Sequence, residues 1–409
     1  SLLDSAIEIL DRKGQTIPRV VARPVLETFT TLRDHDSAGR GVRLASMTGM
    51  AIGDYLMMEG ELIRIEQLPE NPDEDFLIIG SRGQRIGFEG TTPETHALDT
   101  PVYKVSLHKP DTELPSGGMP PVTFTYRNDD GGPGYGKDSH LSFVAPEDGE
   151  YYLRLKDVRD TGGEATHAYR LTIAAPAPDY TLTVNPASPN VPVGGSVPVT
   201  VTANRIDGFD GRIDVRLEGL PAGLQATRGS ILPNHYSTVL TISAPTNLTT
   251  NKIAPITLLV VGTAEIAGRE ISRVADPEDM ISVVSVASPP DLTISTEQKE
   301  LILKPGDIVD ITVRINRRNG FAGRVPVEVR NMPLGITIPD VGLNGVLITE
   351  TETSRTFKIA VDPNTPPLEQ QLYIVGRVET NSPIASEHAA QPIKLTIVPK
   401  QPTVANRNQ

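Results

Sequence analysis

Four oxygen-bearing side chains, Asn128, Asp129, Asp130 and Asp138, bracket a glycine-rich loop, RNDDGGPGYGKDS, running from Arg127 to Ser139. Calcium takes about six to eight hard oxygen ligands in flexible geometry, and carboxylates on a turn can supply them. The spacing is not that of an EF-hand, because counting from Asn128 puts Pro133 at the sixth position and Ser139 at the twelfth, where that loop needs Gly and Glu. Ordinary turn chemistry accounts for the same four residues, since Asn and Asp bond their own backbone in loops. A Ca2+-stabilised loop and a solvated turn therefore both stand. Asp207, Asp210 and Asp214 form a second acidic group, but their counterparts in the repeat described below, Asn319, Ala322 and Pro326, carry no carboxylate. That argues against a shared metal site.

No motif for covalent or phosphoryl chemistry is present. There is no G-x-S-x-G elbow, no H-E-x-x-H, no P-loop and no G-x-G-x-x-G opening a helix. The seven histidines, His35, His96, His108, His140, His167, His235 and His388, are scattered, and His140 falls on the outward face of its segment. With no cysteine, disulfides, Cys-based zinc sites and thiol catalysis are excluded. A glycosidase-type carboxylate pair stays open. With no Trp, sugar stacking falls to tyrosines such as Tyr151, Tyr152 and Tyr236, which weakens carbohydrate binding without excluding it. The net charge of −13, with no Lys/Arg cluster, argues against nucleic acid. No apolar run approaches the ~18 residues of a membrane helix. The expectation is a non-enzymatic chain.

The elements around the loop read as strands. Leu141 and Phe143 alternate with polar neighbours, as do Tyr151, Leu153 and Leu155, and PEDG at Pro146 to Gly149 supplies turn residues between them. A hairpin is expected, with a third strand at Tyr169, Leu171 and Ile173 after Gly162 and Gly163. The run DSHLSFVAPEDGEYYLRLKDVRD, then GG, then YRLTI resembles the bacterial pre-peptidase C-terminal (PPC) domain, a small secreted β-sandwich. SAIEILDRKGQ, near the start, is similar to the strand and D-x-x-G turn of that family. The resemblance implies that Ala6 to Leu10 pairs with the hairpin, that upstream strands are missing, and that calcium could be bound, as in some secreted collagenases.

Residues 23–109 then read as an insertion into this sandwich, which spans 1–22 and 110–175. Within it GDYLMMEGELIRI, Gly53 to Ile65, predicts two short strands around Glu59-Gly60, followed by a strand from Phe76, an Arg82-Gly83 turn and GTTPETH ending at His96. This resembles a small β-barrel-like module of phage tail and fibre proteins, and the resemblance implies structural roles for its Arg, Gly and His residues.

From Tyr180 the chain repeats. Gly208-Phe209 falls on Gly320-Phe321 and Pro221 on Pro333, each 112 residues apart. That period suits an immunoglobulin-type sandwich, giving Ig-like domains at 180–287 and 291–398 and a tail at 399–409. The Gly-Phe-x-Gly turn and the following LP-x-G segment resemble Ig-like repeats of bacterial surface proteins; Phe209 and Phe321 are expected core anchors. The Pro-rich joints APAPDY and ASPPDL read as semi-rigid spacers, so the modules should form a rod. The whole is an all-β array of sandwiches. Its expected role is a structural or adhesive segment of a secreted, periplasmic or cell-surface bacterial protein, with other protein segments or subunits as partners. An accessory region of a secreted peptidase or hydrolase, or a virion fibre component, are the alternatives.

Overall fold

In a computed structural model of the chain, residues 5–31, 41–46, 48–50, 53–58, 60–67, 76–78, 98–129, 131, 135, 138–158, 167–233, 235–248, 254–277, 283–339, 346–378 and 386–399 are described. They contain strands and turns and no helix, so the fold is all-β, built as an array of separate sheets. The chain divides into two bodies, Ser1–Pro176 and Ala177–Gln409. The division falls in APAPDY.

In the first body the strands are β1 (Ser5–Leu10), β2 (Pro18–Phe29), β3 (Gly41–Val42), β4 (Tyr55–Met58), β5 (Glu61–Gln67), β6 (Phe76–Ile78), β7 (Pro101–His108), β8 (Val122–Thr125), β9 (Arg127–Asn128) and β10 (Tyr152–Asp157). Seven of them form a sheet in the order β3-β6-β5-β4-β7-β2-β8. A bridge between Thr30 and Leu44, with Ala45 N–H on the Phe29 carbonyl at 2.9 Å, returns the end of β3 to the end of β2. Six strands thereby close into a barrel-like ring. Period two places Leu56, Met58, Ile63, Ile65 and Val102 in one apolar cluster and Met57, Leu62, Val105 and Phe124 in another, so the sheet is buried on both faces.

β2 runs unbroken through the expected boundary at residue 22/23. It gives Pro18 to Ala22 to β8, outside the expected insertion, and Val21 to Phe29 to β7. Pro24 sits inside it at a register shift beyond the end of the β8 ladder, a place where a missing N–H is tolerated. β4 and β5 form the expected hairpin, Tyr55 opposite Arg64, turning through Gly60 at φ 82.

β1 pairs with β10 from Ser5↔Asp157 to Leu10↔Tyr152, as expected, and with β9 on its other side. The Asp11 carboxylate caps the following turn by accepting from Lys13 and Gln15 N–H at 2.8 Å each. The first arm of the expected hairpin does not form. Residues 139–151 are irregular, and the Phe143 ring is instead held edge-on between Tyr126 and Tyr151, at 4.9 and 5.0 Å. Side-chain packing and not a ladder fixes this segment. The third expected strand is also absent: residues 167–178 make no strand pairing, and Tyr169, Leu171 and Ile173 are exposed. Alternation measures fit to a pleated surface, but a strand also needs a partner edge.

The second body holds two sandwiches with separate cores, one centred on Tyr180, Val199, Ile213 and Leu240, the other on Leu292, Ile311, Val325 and Ile359. In the first, Asp179–Asn185, Ser196–Ile206 and Ser237–Ser243 form one sheet, and Ile213–Glu218, Leu259–Ile266 and Arg269–Val274 the other. The second repeats this with Leu292–Thr296, Ile308–Arg317 and Ser354–Val361 against Val325–Arg330, Leu368–Val378 and Ser386–Ala389.

Candidate functional site

At the acidic loop, Asn128 and Asp129 are buried and Asp138 is exposed; Asp130 lies outside the described residues, as do His35, His96, Arg82 and Gly83. The Asn128 carboxamide oxygen accepts the His140 N–H at 3.0 Å, and the Asp138 carbonyl accepts the Gly131 N–H at 2.8 Å. A Cβ on Gly131 would lie 2.5 Å from that carbonyl, so glycine is needed there. The Tyr135 and His140 rings stack at 4.1 Å. One of the four candidate ligands thus staples the loop through its side chain and another through its backbone. Among the described residues no group of three or more His, Asp or Glu is gathered as a metal site.

In the barrel-like ring the motif residues act on the backbone. Arg64 Nε donates to the Gly53 carbonyl at 3.1 Å and its guanidinium lies over Tyr55, while Asp54 pairs with Lys104 at 2.7 Å.

The two sandwiches share a turn device. Asp207-Gly208 and Asn319-Gly320 both adopt positive φ, and Phe209 and Phe321 N–H close the turns on Ile206 and Arg318 carbonyls, the pattern of type I′ turns. A Cβ on Gly211 or Gly323 would come within 2.7 or 2.9 Å of the adjoining phenyl ring. The second glycine of Gly-Phe-x-Gly is room for the ring. Phe209 is buried and Phe321 half-buried against its core.

Sequence reasoning missed an arginine cage beside each turn. Arg205 donates to the carbonyls of Gly211 (2.7 Å), Leu232 (2.9 Å) and His235 (3.2 Å). Arg317 donates to those of Gly323 (3.1 Å), Thr349 (2.8 Å) and Glu352. Each guanidinium ties its own glycine turn to one further loop through three carbonyls, using its fork of donors. Arg205 and Arg317 are 112 residues apart, so the period itself held the signal.

The spacer expected at ASPPDL does not hold the sandwiches apart. Val239 of the first packs with Tyr373, Val375 and Ala389 of the second in one buried cluster. The Tyr373 hydroxyl reaches Thr227 Oγ1 at 3.0 Å and Gln371 Oε1 at 2.6 Å, and burial pushes its pKa up to about 12, which keeps it a neutral donor. His235 Nε2 accepts the Leu334 N–H at 3.2 Å, and Gln370 Nε2 reaches the Ser230 carbonyl at 3.5 Å. The imidazole of His388 is buried nearby; its Nδ1 has no hydrogen-bond partner. Desolvation lowers its pKa, against the opposing fields of Asp291 and Glu387. The joint is a packed interface with a polar clasp.

No family model matches the chain, and no curated protein matches its sequence. Among solved structures it is similar to a protein of unknown function from Porphyromonas gingivalis W83, at 16% identity over 53% of this chain and 98% of that one, with a TM-score of 0.18. A marsupial T cell receptor shares 10% identity over 54% of this chain and 74% of its own, with a TM-score of 0.20. Fibronectin(III)-like modules of Clostridium thermocellum CbhA share 13% identity over 56% and 99%, with a TM-score of 0.18. Likenesses this distant carry no functional argument.

Proposed function

We propose that the chain is a non-catalytic structural or adhesive segment of a secreted or cell-surface bacterial protein, in which β modules act as stiff spacers that present or assemble a partner-binding surface. The observation that supports it most is the clasped joint, where Tyr373 is fully buried against the neighbouring sandwich. A joint that buries an aromatic ring and satisfies its hydroxyl resists bending, which a spacer needs and an independent tether does not. The PPC-like reading of the first body belongs to the same proposal.

Stiffness is directly measurable. Because the chain has no cysteine, spin labels can be attached after Arg269→Cys and Glu350→Cys, one exposed site in each sandwich. A single narrow distance distribution is expected; a broad one would sink the spacer reading. Turnover of a peptide or glycoside by the purified chain would overturn the non-catalytic part. Calcium at the loop carrying Asn128, Asp129, Asp130 and Asp138 is a proposal of its own. At tenfold the Kd it should stabilise the first body by ~1.4 kcal/mol, and an unfolding midpoint indifferent to chelator would dismiss it.

A further inference from the structure

The two repeats treat the same edge differently. The first strand of each pairs with the second strand of its sheet, Asp179–Asn185 with Ser196–Ile206 and Leu292–Thr296 with Ile308–Arg317. In the first repeat the outer edge is also covered, by a short parallel pairing of Thr183↔Asp276 and Val184↔Pro277. In the second, among the described residues, no strand pairs with the outer edge of Leu292–Thr296. The register shows what that edge offers. Arg318 N–H bonds the Asp291 carbonyl and Glu297 N–H bonds the Thr312 carbonyl, so the odd-numbered residues face the partner strand. The N–H and C=O groups of Ile294 and Thr296 point away from it, while Leu292, one register step earlier, is fully enclosed, so the edge opens at Ile294 to Thr296.

All five residues of that strand line a cleft of about 480 Å³ between the sandwiches. Across from them stand Ser196, Gln225 and Ser243 of the first repeat. Among the described residues no carboxylate lines the cleft, and Lys299, exposed at one end, makes no ion pair. In a chain of charge −13, such a cation beside an unpaired strand edge marks a place for an acidic partner.

We propose that this cleft is a docking site for an extended acidic peptide, which adds a strand to the outer edge of Leu292–Thr296 and sets a carboxylate against Lys299. Main-chain hydrogen bonds would supply the affinity and Lys299 the preference for acid, the division of labour seen when a peptide augments a sheet.

The probe is a fluorescein-labelled hexapeptide, Thr-Val-Thr-Val-Asp-Glu, titrated against the full chain by anisotropy, with amide hydrogen exchange to locate it. Saturable binding is expected, with exchange slowed in residues 292–296. Lys299→Glu, an exposed change that leaves the fold intact, should weaken it by about tenfold, as should ending the peptide in Lys-Lys. N-methylating alternate peptide nitrogens should abolish binding, because it removes the ladder donors. Absence of saturable binding, equal binding of the N-methylated peptide, or indifference to Lys299→Glu would each overturn the proposal. So would equal binding of the dipeptide Asp-Glu, which would make the cleft a small-anion site.

Discussion

The two sandwiches of the second body are built on one plan and used in two ways. Arg205 and Arg317 cage equivalent turns, and Gly262 and Gly376 let equivalent strands approach their cores. Where they differ is on one equivalent face: the second sandwich turns it to the first, which meets it instead through Val239 and Thr227. Opposite the matched strand residues Glu218 and Arg330 stand Leu259, exposed, and Tyr373, fully buried. Opposite the matched glycines stand Arg273, ion-paired to Asp179 at 2.7 Å, and His388, buried. What is shared holds backbone to backbone, and what differs makes the joint.

The largest expected effect breaks that contrast at one position. Tyr373→Ala should cost ~3–5 kcal/mol through a cavity and lost hydrogen bonds, against ~0.5 kcal/mol or less for the exposed Leu259→Ala; equal costs in chemical denaturation would mean the joint is not packed in solution. Arg205→Ala and Arg317→Ala should each cost ~2–3 kcal/mol, since each strands carbonyls. Unequal losses would show that one cage is redundant. Gly262→Ala should be the harsher of the glycine pair, ~2–3 against ~1 kcal/mol, because its Cβ would meet Leu182 Cδ1 at 2.4 Å where that of Gly376 meets Ile294 Cδ1 at 3.1 Å.

The smallest effect is a pH dependence confined to the second sandwich. The folded pKa of His388 lies below its unfolded value of ~6.5. The unfolded chain therefore takes up the proton first, and stability, full above that value, declines as pH falls below it toward the folded pKa. His388→Gln should flatten this part of the stability profile measured by urea titration. An unchanged profile would place His388 in water.

Much of this was legible in the sequence because it is local. Gly-Phe-x-Gly encodes a positive-φ turn and room for a ring within four residues, so the period could be read directly. The β4–β5 hairpin was equally local. Tyr373 gave no such signal, because an aromatic in YIVGRV reads as any core strand residue and its partners Thr227 and Val239 lie far off in sequence. The boundary at 22/23 came from the family resemblance alone, whereas β2 runs through it, held by ladders to β7 and β8. Tyr169 to Ile173 failed in the opposite sense, since its alternation is clear and no strand among the described residues pairs with it. For the acidic loop, the sequence left its use open; Asn128 turns out to bind backbone.

The pairing of β1 with β10 sets an order of events at the ribosome. β1 leaves the exit tunnel well ahead of both strands it pairs with here, since β9 and β10 follow only after the whole barrel-like ring. At about 5–20 residues per second, the wait for β10 is roughly seven to thirty seconds. Throughout it SAIEIL, which ends almost wholly buried, is an apolar strand in search of an edge. The ring can close meanwhile and bring the two ends of its excursion together, so nascent chains truncated before Tyr152 should engage holding chaperones through this strand, and chains extended past Asp157 should release them.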